Sequence, residues 1–327
     1  MDHAMDHAMD QPDGTAPSTR PRSRLAVIAR ALLGGAAVLV AVFAVLTTWQ
    51  TLAAGHPAYP LLLAAIALTG IVLLVRRAAP RKPGRLRTTG RIGGAVVLVL
   101  ALAIAAALRP FPSRDDGVAA AASTGTVEVV HRWDAWELRP RGRASGVGVV
   151  FLPGMLVDPR AHFPLLKPLA ERGALVIVPT APLGVALTGE REAKQAIESE
   201  PQITTWLVGG HSMGGAAASS VAANVPAIDG LLIWASYPSA DLSASDVKVL
   251  SVHGSNDPYA DDEIINDNRA KLPPDTRYVR LDGGIHAHFG DYSQFGDGEP
   301  LIDTATARNQ ITTATQTFID ELHRTRP

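Results

Sequence analysis

Residues 209–215, Gly209-Gly210-His211-Ser212-Met213-Gly214-Gly215, constrain the fold more than any other stretch of the chain. An apolar run over 203–208 precedes them and predicts a short buried strand. A small-residue run over 216–223 follows and predicts a helix. A strand passing directly into a helix must turn sharply. Glycine at 210 and 214, two residues to either side of Ser212, leaves room for that turn. A serine at such a tip is held in a strained conformation, its hydroxyl clear of the chain and above a helix N-terminus. The Met213 backbone N–H is then free to face a developing oxyanion.

The downstream chain supplies a sheet for this element. Segments 126–131 and 135–139 predict an opening strand pair. Segments 146–152, 174–179, 228–235, 247–252 and 277–281 predict further strands, and 161–172, 189–199, 261–271 and 305–323 predict helices. Apolar strands alternating with helices imply an α/β domain, a doubly wound and mostly parallel sheet covered on both faces.

A serine hydroxyl needs a base, and the base needs a third group to orient it. In an open parallel sheet these partners are expected beyond the C-terminal ends of later strands. Asp257 follows the apolar run 249–252, and His286 follows the strand at 277–281 through a glycine turn. The chain order Ser, Asp, His is the one expected of this architecture. His286 is the candidate base and Asp257 the candidate orienter, with His288 competing as base. His211 and His253 read as structural members of their own turns, Asp261 and Asp262 as N-terminal charges of the following helix, and Asp291 and Asp297 as turn-stabilising. A second oxyanion donor is expected where 146–152 ends: Gly154 permits close backbone approach, and the Met155 N–H can point at the same oxygen as that of Met213.

The phrases Gly-Gly-His-Ser-Met-Gly-Gly (209–215), Trp-Ala-Ser-Tyr-Pro (234–238), His-Gly-Ser-Asn-Asp (253–257) and Gly-Gly-Ile-His-Ala-His-Phe-Gly-Asp-Tyr (283–292) resemble the α/β-hydrolase fold. The likeness is strongest to its small, lidless branch related to dienelactone hydrolase. It implies Ser212 as nucleophile, Asp257 as acid and His286 as base, with no cofactor. Dienelactone hydrolase itself uses cysteine and this chain has none, so that enzyme's substrate is not implied. Many relatives carry His-Gly where this chain has Pro153-Gly154.

The N-terminal third is of another character. Three charge-free apolar segments, about 31–49, 58–75 and 92–108, are each near the roughly 20 residues of a membrane-spanning helix. Arg20, Arg22, Arg24 and Arg30 precede the first, the loop 50–57 has no Lys or Arg, and Arg76, Arg77, Arg81, Lys82, Arg85, Arg87 and Arg91 lie between the second and third. The positive-inside rule then puts the N-terminus and the basic loop in the cytoplasm and everything after Pro110 outside. A cleaved signal peptide ending near Ala53-Ala54 leaves that side unchanged. The resulting division is a disordered tail over 1–24, a three-span membrane region over 25–109, a linker over 110–124 and an α/β-hydrolase domain over 125–327. His3 and His7 admit copper or nickel binding, against the plainer reading of a disordered tail.

Through Pro110 there are 12 Lys/Arg against 4 Asp/Glu (+8), and beyond it 18 against 27 (−9). A basic membrane-facing part thus joins an acidic globular part, which argues against nucleic-acid binding. With no cysteine there is no disulfide or thiolate site, as fits an extracytoplasmic domain.

The expectation is a multi-pass protein of the cytoplasmic membrane with an extracytoplasmic serine hydrolase domain. Its substrate is a small ester-type molecule, and it needs neither cofactor nor metal. The short stretch between the strands at 228 and 247 leaves little room for a large lid. An acyltransferase, a peptidase of the same fold and a non-catalytic binding domain stand as alternatives.

Overall fold

The computed structural model describes residues 24–76, 85–185 and 189–325. His3, His7, Arg77, Arg81 and Lys82 lie outside the described residues.

The first three helices are α1 (Arg24–Ala54), α2 (Ala58–Val75) and α3 (Arg85–Ala107). Each contains a stretch long and apolar enough to cross a membrane: Ala26–Ala54, Ala58–Val75 and Thr89–Ala107. The helix α1 is longer than its expected span at both ends: it starts at Arg24, and after a kink at Thr48 (φ −138°) it runs on to Ala54. The hydroxyls of Thr47 and Thr48 hydrogen-bond back to the carbonyls of Phe43 and Ala44 there, a pattern that bends helices. Close packing of α1 on α2 depends on a glycine pair. A Cβ on Gly70 would stand 2.7 Å from the Gly34 carbonyl oxygen.

After the three apolar helices the chain packs on the following domain. The segment 110–124, expected as a linker, includes a short helix α4 (Asp115–Ala120), and Phe111 bridges Val157 in parallel. Then come β1 (Val127–His131), β2 (Ala135–Pro140), β3 (Val147–Leu152), α5 (Phe163–Glu171), β4 (Leu175–Pro179), α6 (Glu190–Ser199), β5 (Thr205–His211), α7 (Met213–Asn224), β6 (Gly230–Trp234), β7 (Lys248–Gly254), α8 (Asp262–Asn268), β8 (Arg277–Leu281) and α9 (Thr304–Thr325). The strands form one eight-stranded sheet in the order β1-β2-β4-β3-β5-β6-β7-β8. Only the β1–β2 and β2–β4 pairings are antiparallel. This is a mostly parallel α/β sheet, and its central strands read as continuous apolar runs because both faces are covered.

Alternation within those strands builds two cores. Val149 and Phe151 of β3, Leu207 of β5, Leu232 and Trp234 of β6 and Leu250 of β7 pack on one face, with residues of α5 and α9. Val150, Leu152, Val208, Leu231, Ile233 and Val249 pack on the other, with residues of α6 and α7. Strand β5 runs on to His211 instead of ending at Val208, because Gly209 and Gly210 still pair with Phe151 and Leu152 of β3. Between β6 and β7 the segment 235–247 has no helix.

The apolar N-terminal helices touch this domain directly. Trp136 Nε1 donates to the Ala54 carbonyl (2.8 Å), and Ala54 belongs to the domain's first core.

Candidate active site

Ser212 sits between β5 and α7 as the N-cap of the helix, with φ 56° and ψ −127°. That is a left-handed backbone on a non-glycine residue, and the surroundings hold it there. Its N–H donates to the Trp234 carbonyl (3.0 Å), and its carbonyl accepts from Gly215 N (2.9 Å) and Ser236 Oγ (2.6 Å). The glycines are a steric requirement. A Cβ on Gly210 would lie 2.3 Å from the backbone of Gly214, and one on Gly214 would lie 2.1 Å from Leu152 O. Ser212 is half-buried, and Met213 beside it is exposed.

Past β7, Asp257 is buried, and its Oδ1 accepts from Tyr259 N (2.8 Å) and Ala260 N (3.2 Å). Its other oxygen, Oδ2, lies 2.8 Å from His286 Nδ1. A carboxylate only accepts, so His286 Nδ1 is the donor in this contact. His286 itself opens a 3₁₀ turn, His286–Phe289, beyond β8. The loop is braced by Asp297, whose two oxygens accept from His286 N (3.0 Å) and Ala287 N (2.8 Å). The competing His288 turns elsewhere: its Nδ1 accepts from Ile285 N (3.2 Å). Burial lowers its pKa, opposed by Asp297 and Asp303.

The His286 ring is enclosed by Tyr259 (centroids 4.9 Å apart, edge-on) and by His211 (4.6 Å), the residue immediately before Ser212. His286 and Asp257 are therefore brought into direct contact, and His286 is packed against the elbow. Ser212 Oγ hydrogen-bonds to no described residue, as is common before substrate tightens such a contact.

The oxyanion candidates lie on the two sides of the elbow. The Met213 N–H is in the first turn of α7 and has no intrahelical acceptor. Met155 follows Gly154, where a Cβ would stand 2.8 Å from His211 Nδ1. No described residue accepts from the Met155 N–H.

His211 and His253 part company. His253 Nε2 pairs with Asp262 Oδ1 (2.9 Å), and that contact leads the causes holding the Asp262 carboxyl low. Asp261, beside it, caps α8 through Ile264 N (2.9 Å). Asp291 ties α4 to the His286 loop by accepting from Gly117 N (2.8 Å). His211 is wholly buried, with neither ring nitrogen hydrogen-bonded to a described residue. His162 stands behind it in the same condition, 5.3 Å between ring centroids. Burial brings the His162 pKa down to about 3. Burial, then the neighbouring imidazoles, also pushes that of His211 well below the usual histidine range. Neither His162 nor the Tyr259 contact is signalled by sequence spacing, since both arise from loops that meet only in the fold.

A mostly parallel sheet, with a strained serine at the turn from its central strand into a helix, defines the α/β-hydrolase class of fold. Residues 148–309 match the family model described as alpha/beta hydrolase family, in keeping with the α/β-hydrolase fold of that part of the chain. No curated protein matches the chain. Among solved structures, a crystal structure of TT1662 from Thermus thermophilus aligns at 17% identity and a TM-score of 0.45, covering 61% of this chain and 99% of that one.

Proposed function

We propose that this hydrolase is a membrane-anchored serine esterase whose nucleophile is Ser212. The observation that carries the reading is the buried His286–Asp257 pair packed against the strained Ser212 elbow. Ser212 Oγ attacks the ester carbonyl carbon as His286 Nε2 takes its proton. The tetrahedral oxyanion is held by the Met155 and Met213 amides, each such donor being worth about 3 kcal/mol. Collapse expels the alcohol, which leaves with the proton from His286. Water, deprotonated by the same imidazole, then attacks the acyl-enzyme and releases the acid and free Ser212. Asp257 holds the tautomer and stabilises the imidazolium.

The charge of the loops supports a plasma-membrane protein with this domain on the extracytoplasmic side. The test is turnover of carboxylic esters by wild type, Ser212→Ala and His286→Ala. Loss of turnover in both variants is expected, and unchanged turnover in Ser212→Ala overturns the mechanism. Adding an acceptor alcohol or a peptide substrate to the same assay separates hydrolysis from acyl transfer and from peptidase activity.

A further inference from the structure

Where the apolar N-terminal helices meet the hydrolase domain there is a narrow pocket with a cavity volume of about 60 Å³. One wall comes from the end of α1 and the start of α2, including Thr51, Leu52 and Tyr59. The opposite wall comes from the loops after β3 and β4, including Gly154, Leu156 and Leu183. Those loops are locked together by Leu156 N donating to Gly184 O (2.7 Å). Leu156 (φ 62°) and Leu183 (φ 56°) are two of the four non-glycine residues with left-handed backbone among the described residues. That is strained geometry, and Leu183 reaches across it to the core of the membrane helices.

The lining is mostly apolar. Its sole carboxylate, Asp158, is neutralised by Arg160 at 2.7 Å. Thr51 is 4% exposed, and its buried hydroxyl has no hydrogen-bond partner among the described residues. Exposed Trp49 and Trp133 flank this level, and Trp133 packs edge-on against His56 of the wall. Exposed tryptophans beside membrane helices mark the lipid–water interface. The pocket shares a wall with the candidate active site: Pro153 and Gly154 line it, and the same two residues pack on Gly214 and His211 of the elbow.

We propose that this pocket seats the apolar chain of a membrane-borne ester. The substrate is then a lipid ester drawn from the leaflet beside the domain, its carbonyl presented to Ser212 past Gly154. The proposal rests on the serine reading above for the chemistry, while the pocket itself is tested separately.

The full chain in phosphatidylcholine nanodiscs is assayed on p-nitrophenyl acetate and p-nitrophenyl laurate, as wild type, Thr51→Trp and Ala181→Leu. The laurate-to-acetate ratio of kcat/KM is expected to fall about tenfold when the pocket is plugged. An unchanged ratio in both variants overturns the proposal, and points to a soluble ester that never uses the pocket. Ser212→Ala protein is also photo-labelled with a diazirine-tailed palmitoyl ester, which needs no turnover. Labelling within 51–60 or 153–159, lost in the plugged variants, supports the pocket; labelling elsewhere or none overturns it. Labelling at the pocket together with wild-type protein inert on both esters keeps the pocket and defeats the serine reading.

Discussion

His286 Nδ1 lies 2.8 Å from Asp257 Oδ2, both side chains are almost wholly out of solvent, and the other Asp257 oxygen is already committed to the Tyr259 and Ala260 amides. The carboxylate therefore has one oxygen left for the imidazole and is held at the angle that serves it. Substituting Asp257→Asn keeps the shape but turns an acceptor into an ambiguous amide, which can select the wrong imidazole tautomer. We expect kcat on an ester to fall by roughly 10³–10⁴-fold with the melting temperature little changed. A fall of less than tenfold, measured by steady-state kinetics, contradicts the assigned role.

Gly214 has no room for a methyl group, because a Cβ would meet Leu152 O at 2.1 Å and Pro153 O at 2.4 Å. Both obstacles are backbone, so relief requires the elbow or the end of β3 to move. Gly214→Ala is expected to cost about 1–3 kcal/mol of stability or more, and to displace Ser212 relative to His286. Thermal unfolding and ester turnover read the two effects, and a fully active variant with wild-type melting contradicts them.

Much of this fold was legible in the chain because parallel strands buried on both faces announce themselves as apolar runs. The run 146–152 and β3 (Val147–Leu152) differ by one residue. The elbow was legible for a steric reason, since only glycine fits at 210 and 214. Helix α4 was not, because its six residues owe their place to Asp291 and to packing far along the chain. The docking of Ala54 against Trp136 and the file of His162, His211 and His286 were likewise invisible. These are contacts between distant segments, and no local periodicity records them.

The buried histidines give the domain a limb of acid sensitivity. His162 titrates near 3 when folded, against 6.5 in the unfolded chain, so between those values the unfolded state binds the extra proton. Its contribution is complete above about pH 6.5 and is lost as pH falls, amounting to about 2 kcal/mol by pH 5. His162→Phe removes that linkage along with two unpaired ring nitrogens. The melting temperature should then hold or rise at neutral pH and drop less between pH 7.5 and pH 5. An identical pH dependence in wild type and variant contradicts the assignment.

Because the chain has no cysteine, an introduced one is unique. Ala244, exposed between β6 and β7, and Arg91, exposed at the start of the third span, lie on opposite sides of the membrane in the proposed topology. In intact cells a membrane-impermeant maleimide should label Ala244→Cys and should label Arg91→Cys only after lysis. The reverse pattern inverts the topology.

The most direct measurement is covalent capture of the nucleophile. Wild-type protein is treated with a fluorophosphonate and digested, and the adduct is located by mass spectrometry. The account predicts a single adduct on Ser212, slowed by roughly 10²-fold or more in His286→Ala and absent in Ser212→Ala. An adduct on another residue, or undiminished labelling of Ser212→Ala, contradicts it.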